Sequence, residues 1–490
     1  MSLLPLPQDR WDFTAAAHLL NRAGFGGCPD EIEILQRGGH ENAVRRLLDF
    51  TLVREPLTPL TWAQPDPDRA ARFQAMKNAT EERRRELRSE LQKENRRRLI
   101  ELHHWWLHRM AVSGAPLQEK LVLFWHGHFA TSAQKVKDAY LMWRQNDLFR
   151  RLAIGDWPTL LQAVTADPAM LLYLDQAESK PGHPNENYAR ELMELFSLGE
   201  GHYTENDVTE AARALTGLTY DRLKQEPTHR PRLRDPKPKT LFGVTGNFDE
   251  NDLIRLITQQ PAAALWITGK LWNYFAGTDP SPALSAALVG EFHRTQQRIG
   301  PFLETVFRSQ AFYAPEVRRN QIKSPVQLLV GACRHLERDL PPAPVAINSL
   351  RLLGQELFNP PNVKGWDGGI AWINTSTLLG RHNLALLLTT GENPLPAMAR
   401  NKAANKRPVN KRGPVRAIAA APIEKLFSAT EKASPETLVS AVERRLFQAQ
   451  LPPKDRAALL HYLKAQSETD AHALLGLLRL ALCTPDYQLT

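Results

Sequence analysis

The chain has 490 residues, 42% of them hydrophobic, and its 62 lysines and arginines against 53 acidic residues leave a formal net charge of +9. That length suits two or more domains and a large core, and no apolar run reaches the roughly eighteen residues a membrane-spanning helix needs. Cys28, Cys333 and Cys483 lie far apart with no Cys-x-x-Cys spacing, which argues against a disulfide framework or a zinc–cysteine centre.

From the amino terminus, Met1 to Arg10 shows no basic stretch followed by an apolar core, so no secretory signal is recognised and a cytoplasmic location is expected. Apolar residues at helical spacing predict helices over Phe13 to Arg22, Asp30 to Arg37, Asn42 to Phe50 and Leu117 to Phe129. Further helices are predicted over Trp157 to Val164, Asp252 to Phe275, Gln321 to Leu336 and Thr377 to Leu388. Thr80 to Glu101 is almost wholly charged and reads as a solvated helix, with Glu81 to Arg85 and Glu94 to Arg98 as i, i+4 pairs. Thr204 and Asp207 form a capping-box pattern for a helix that stops at Gly217. Ser434-Pro435 opens another helix, and Gly199 is a left-handed terminator. Alternating strand patterns are scarce, with short ribbons expected near Thr240 to Val244 and Ile370 to Ile373. The expected fold is mainly α: a multi-helix globular core with Gly/Pro/Trp-rich loops and a small C-terminal helical unit.

Composition divides the chain into a main helical domain (1–392, with the charged helix about 80–101 inserted), a basic linker (393–422) and a C-terminal helical unit (423–490). Much of the positive charge sits in two proline-containing segments, Arg222 to Lys239 and Arg400 to Arg416. Such segments read as solubilising loops or as contacts for a polyanion.

The segment from His183 to Gly199 is the richest in chemistry. Asn187, Arg190, Glu191 and Glu194 fall at i, i+3, i+4 and i+7 and so share one helix face. The two glutamates suit general acid–base work or metal binding, as carboxylates on facing helices do in bundle sites. A polar network tying the helix to its neighbours, with Arg190 paired to Glu194 or Asp207, is the competing reading. His126 and His128 are candidate metal ligands, but residues two apart on a helix point about 200° apart, so sharing an ion requires Gly127 to break the helix. Otherwise they are hydrogen-bonded core histidines. The segment Asn359 to Ser376 carries Trp366 and Trp372 beside Lys364, Asp367 and Asn374. It reads either as a sugar-stacking loop or as a loop packed by its own tryptophans, with Asn374 capping the next helix. No nucleophile elbow, P-loop, His-Glu-x-x-His or dinucleotide fingerprint is present.

Several motifs converge on one family. They are Ala17 to Gly26 (AHLLNRAGFG), Phe124 to Ser132 (FWHGHFATS), Pro168 to Asp175 (PAMLLYLD) and Asn185 to Gly199 (NENYARELMELFSLG). Tyr203 to Val208 (YTENDV), Ala212 to Gly217 (ARALTG), Lys323 to Pro325 (KSP), Pro360 to Trp366 (PPNVKGW) and Trp372 to Ser376 (WINTS) follow. The chain resembles the bacterial family known as domain of unknown function 1800 (DUF1800), over nearly its whole length. The resemblance implies a helical protein whose relatives often occur beside a sulfatase-like or phosphatase-like partner family with a twin-arginine signal; it implies no established reaction. Where the family often has a His-Asp pair before a Lys-Thr loop, this chain has Arg234-Asp235 before Lys239-Thr240.

Together these features point to a metal-dependent hydrolase acting on a glycan or another envelope-derived polymer. His126 and His128 would hold a divalent metal, Glu191 and Glu194 would bind or activate, Arg190 would orient a carboxylate, and Asp207 would assist. Trp366, Trp372, Asn374 and Lys364 would hold substrate. Two other readings stay open: a non-catalytic partner or chaperone of a co-expressed, exported sulfatase-like protein, leaving the cell with it, and a nucleic-acid-binding protein.

Overall fold

Phe13–Arg22 is a helix with the bounds its periodicity predicts, and Asp12 caps it by accepting from the Ala15 main-chain N–H at 2.7 Å. The computed structural model describes residues 3–50, 58–393 and 418–490. Helices dominate them, and the described strands form two antiparallel ribbons, Leu218–Asp221 with Glu226–His229 and Lys239–Leu241 with Val244–Gly246. The mainly α expectation is met. Among the described residues no helix is long and apolar enough to cross a membrane.

Local chemistry explains most boundaries. The charged helix begins at Thr80, whose hydroxyl accepts from Arg83, but it runs to Val112, well beyond the expected Glu101. Past Glu101 its Leu102, Trp106, Leu107 and Met110 are buried, so packing extends what i, i+4 charge pairs begin. The single helix expected over Asp252 to Phe275 is two, Glu250–Thr258 and Pro261–Ala276. Pro261 lacks an N–H and suits the first turn of a new helix better than the interior of an old one. The ribbon expected at Ile370 to Ile373 is instead a 3-10 turn, Gly369–Trp372.

The chain falls into two compact units, each assembled from separated stretches. The first comprises Met1–Pro7, Val44–Val317 and Leu357–Asp367; the second comprises Gln8–Ala43, Arg318–Glu356 and Gly368–Thr490. The helices after Ile423 therefore group with amino-terminal and central segments, where composition had set them apart. Most of the basic linker, and the whole Arg400 to Arg416 run, lie outside the described residues.

The core of the first unit is aromatic. Trp125 stacks on Trp157 at 5.8 Å between ring centroids, and Phe129 meets Phe149 at 6.0 Å and Phe196 at 5.4 Å. Beside this cluster the fully buried Glu119 accepts from Arg109 Nε (2.9 Å), Arg150 Nε (2.7 Å) and Trp106 Nε1 (3.0 Å). In the second unit the helices Pro325–His335, Thr375–Thr390 and Ala471–Cys483 bury Leu329, Leu384, Leu387, Leu477 and Leu478.

Candidate functional site

The His183 to Gly199 segment folds in two steps. Asn185 caps the short helix Glu186–Glu191 by accepting from the Asn187 N–H, and both asparagines reach back to the preceding turn. Asn185 Nδ2 donates to the Asp175 carbonyl (2.9 Å) and Asn187 Nδ2 to that of Leu174 (3.3 Å). Those bonds brace Asp175 in the left-handed region, φ 57°, which a non-glycine residue adopts at a cost. From Leu192 to Ser197 the winding widens to a π turn, with Leu198 N–H reaching the Met193 carbonyl at 2.8 Å. π turns are rare and recur at functional sites.

Long-range donors meet two of the carbonyls at the end of that turn. Trp266 Nε1 donates to Leu195 O (3.0 Å), and His128 Nε2 lies 3.0 Å from Phe196 O. Gly199 closes the turn at φ 84°, where an added Cβ would lie 2.7 Å from the Trp266 ring. Glycine is required there for both reasons.

The outer side carries the titratable groups. Glu191 is half-buried; burial and then the neighbouring Glu194 raise its carboxyl above the usual range, against a smaller opposing pull from Arg190. Glu194 accepts from the Tyr203 hydroxyl at 3.0 Å. Burial and that bond push the Tyr203 phenol up to about 12, and burial followed by Glu191 raises Tyr173 as well. Two carboxylates and two tyrosines thus share one patch, and neither tyrosine was singled out from the sequence.

The other members of the stripe do different work. Arg190 pairs bidentately with Glu205, 2.7 Å on each arm, and more loosely with Glu186 at 3.7 Å; it reaches neither Glu194 nor Asp207. Its side chain is 35% exposed and that of Glu205 77%, so the pair is solvated. Asp207 spends both oxygens on structure. Oδ2 accepts from the Thr204 N–H and hydroxyl, completing the predicted capping box, and Oδ1 accepts from the Phe242 N–H at 2.8 Å. An auxiliary catalytic role for Asp207 would have to break these bonds.

The helix carrying the two histidines runs unbroken through Gly127, Pro116–His128, so the condition for a shared ion is not met. His126 Nε2 accepts from the Phe358 N–H at 2.9 Å, and its ring meets Trp106 edge-on at 5.3 Å. His128 donates through Nε2 to Phe196 O, which makes the two rings opposite tautomers of neutral imidazole. Burial drives both down to about 3. Among the described residues no group of three or more His, Cys, Asp or Glu is placed to hold a metal ion. The paired-ligand expectation gives way to a buried His126 and a part-buried His128, each bonded to a backbone group.

The expected substrate loop is divided between the two units. In the first, Lys364 is exposed, and the Trp366 ring lies 5.6 Å from that of His126. Gly365, at φ 85°, abuts the Gly127 main chain so closely that no Cβ fits. In the second, Trp372 is 7% exposed and Asn374 caps Thr375–Thr390 by accepting from Thr377. Trp372 therefore presents no open face for a sugar.

A family model described as "Protein of unknown function (DUF1800)" matches residues 18–489. The chain belongs to the DUF1800 family. Neither the curated proteins nor the solved structures hold a match to it. In this DUF1800 chain the Arg234-Asp235 loop is structural: Asp235 accepts from Arg213 Nε at 2.8 Å, and the buried Lys239 donates to the carbonyls of Asp235 (2.9 Å) and Lys237 (3.0 Å). Of the positive charges in the Arg222 to Lys239 segment only Lys239 is buried; Arg222, Lys224, Arg230, Arg232 and Lys237 are exposed.

Proposed function

We propose that the protein is a hydrolase acting on a glycan or another envelope-derived polymer, with Glu191 as its proton-transfer group and Glu194 as the charged neighbour that tunes it. The observation that carries this reading is the inequality of the two carboxylates. Glu194 is held by Tyr203, whereas Glu191 is half-buried, takes part in no described hydrogen bond, and has its carboxyl raised by burial and by Glu194. A pair of titratable groups in unlike environments is what assigns acid and base roles. Glycoside hydrolysis in particular needs two carboxylates, and Tyr173 and Tyr203 add aromatic surface beside them. The chemistry requires no metal at His126 or His128.

The test is release of new reducing ends from purified bacterial cell-wall polymer and from a panel of soluble polysaccharides. Wild-type protein should release them, and Glu191→Gln should lower the rate by about 10²–10⁴-fold, the usual contribution of general acid–base catalysis. Its melting temperature should be unchanged. Absence of activity across the panel, or full activity in Glu191→Gln, would overturn the reading.

A second reading, a non-catalytic partner of a co-expressed exported sulfatase-like protein, rests on a different observation. In the second unit Ile370, Leu378 and Leu379 are 76%, 49% and 62% exposed within ten residues, an apolar surface suited to a protein contact. Co-expression with such a protein would test it. Ile370→Asp with Leu379→Asp should abolish co-purification, and retention of the partner would count against this reading.

A further inference from the structure

Asp167 is a buried carboxyl in the first unit, 2% exposed, that the Glu191 patch does not use. It opens the helix Pro168–Tyr173, where its Oδ2 accepts from the Met170 N–H at 3.0 Å. The same oxygen accepts from Gln145 Nε2 at 2.8 Å, and that nitrogen gives its other hydrogen to Thr131 Oγ1 at 3.1 Å. Thr131 spends its own hydroxyl hydrogen on the Phe129 carbonyl at 3.2 Å. Turning the Gln145 amide over would therefore set its oxygen against acceptors, so the orientation is fixed. Two buried oxygens are left with no hydrogen-bond partner, Asp167 Oδ1 and Gln145 Oε1.

Stranded acceptors are costly in a dry interior, and so is a carboxylate with no cation against it. Arg144 is the charged group that bears on Asp167, and its Nη1 is turned to the Gln225 carbonyl at 2.6 Å. On the other elements packed against that helix, charges are answered elsewhere or lie in water. Lys135 pairs with Asp175, Asp138 with Arg69, Asp147 with Arg151 and Arg150 with Glu119. Asp156 and Asp221 accept from main-chain N–H groups, and Glu178 is exposed. The Tyr188 and Tyr220 phenols are raised by burial and stay neutral. A single proton, placed on Asp167 Oδ1, removes the charge and supplies the donor that Gln145 Oε1 lacks.

We propose that Asp167 holds a proton on Oδ1 and donates it to Gln145 Oε1, closing an acid–amide pair, and that this proton is a pH-sensitive lock on the helix Pro168–Tyr173. Burial holds the folded carboxyl up at about 6, against the opposing bonds from Met170 and Gln145, whereas an unfolded aspartate titrates at about 3.9. The lock's contribution is therefore complete below about pH 4 and is lost as pH rises through about 6. Tyr173, at the far end of the locked helix, belongs to the Glu191 patch. The proton itself does not depend on the hydrolase reading.

Infrared titration of the full chain tests the proton, with the aspartate carboxyls isotope-labelled to separate their bands from those of glutamate. Wild type should show a protonated-aspartate band that fades with a midpoint near pH 6, about two units above an ordinary aspartate. Asp167→Asn should lack it. Asparagine also caps a helix, and its amide N–H can donate where the acid O–H did, so this variant imitates the locked state at every pH. The two proteins should melt alike at about pH 5, and the variant should melt higher at about pH 8, above the titration. Hydrogen exchange should show the Pro168–Tyr173 amides losing protection over that range in wild type and keeping it in the variant. Absence of an aspartate band with that midpoint overturns the proposal, as does its persistence in Asp167→Asn. A variant that melts no higher than wild type at the upper pH, the result expected if an ionised Asp167 serves a bound water, overturns it too. Should Asp167→Asn fail to fold, the wild-type infrared titration decides.

Discussion

His128 Nε2 lies 3.0 Å from the carbonyl oxygen of Phe196, and the partnership couples the Pro116–His128 helix to the end of the π turn. A helix end leaves carbonyls without intrahelical partners, and a buried one must find donors elsewhere. His128 serves Phe196 and Trp266 serves Leu195. His128→Leu removes the donor while keeping the bulk. It should cost about 1–3 kcal/mol by leaving a buried carbonyl unsatisfied, whereas His128→Gln should recover much of that. Urea unfolding of the two variants is the measurement.

The same burial makes stability depend on pH. Both His126 and His128 titrate at about 3 in the folded protein, through burial first, against about 6.5 in an unfolded chain. The unfolded state therefore binds more protons below about pH 6.5. Stability should be level above that point and fall as pH drops from about 6.5 towards 3, by up to about 1.4 kcal/mol per pH unit for each histidine. Replacing His128 with Gln should flatten the slope between pH 6 and pH 5 (roughly the window of an ordinary imidazole). An unaltered slope would mean that another group is responsible.

Glu119 should behave in the opposite sense. Burial pushes its carboxyl up, but Arg150 and Arg109 outweigh burial and hold it below the usual carboxylate range. Its contribution is present above the unfolded value near 4.5 and is lost as pH falls below it. Glu119→Gln leaves two buried guanidiniums short of charge and should cost about 3–5 kcal/mol at pH 7. Chemical denaturation from pH 7 down to about pH 3 should show the gap between variant and wild type constant above about 4.5 and narrowing below it, by at most about 1.4 kcal/mol per pH unit.

Arg190 offers the contrast. Its partner Glu205 is mostly in water, so Arg190→Ala should cost about 1 kcal/mol or less. A melting temperature close to wild type, combined with unimpaired hydrolysis, would place Arg190 outside the chemistry. A large loss of stability would contradict the solvated geometry.

Gly199 is the most sensitive point of the π turn. Gly199→Ala would place a Cβ 2.7 Å from the Trp266 ring at a backbone angle that alanine disfavours. The expected penalty is about 2–4 kcal/mol, strain and overpacking together. Trp266→Leu in the same background should relieve the clash and restore part of it. Additive losses in the double variant would show that the two residues do not interact.

Signals confined to a few neighbouring residues were legible in the sequence. The mainly α class follows from apolar spacing. The Thr204–Asp207 box, the Ser434 and Asn374 caps and the left-handed Gly199 follow from side-chain chemistry within about one turn. The motifs also determined the family, which spans residues 18–489. Tertiary structure alone decided the rest, because the deciding partners lie far along the chain. The π turn is completed by donors 68 and 71 residues away, and no local pattern announces them. The shared face of Arg190, Glu191 and Glu194 was readable, but not that Arg190 would turn to Glu205 while Tyr203 took Glu194. Helical periodicity fixes which side chains point the same way; packing and desolvation choose which of them meet, and so which carboxylate is left with a raised proton affinity.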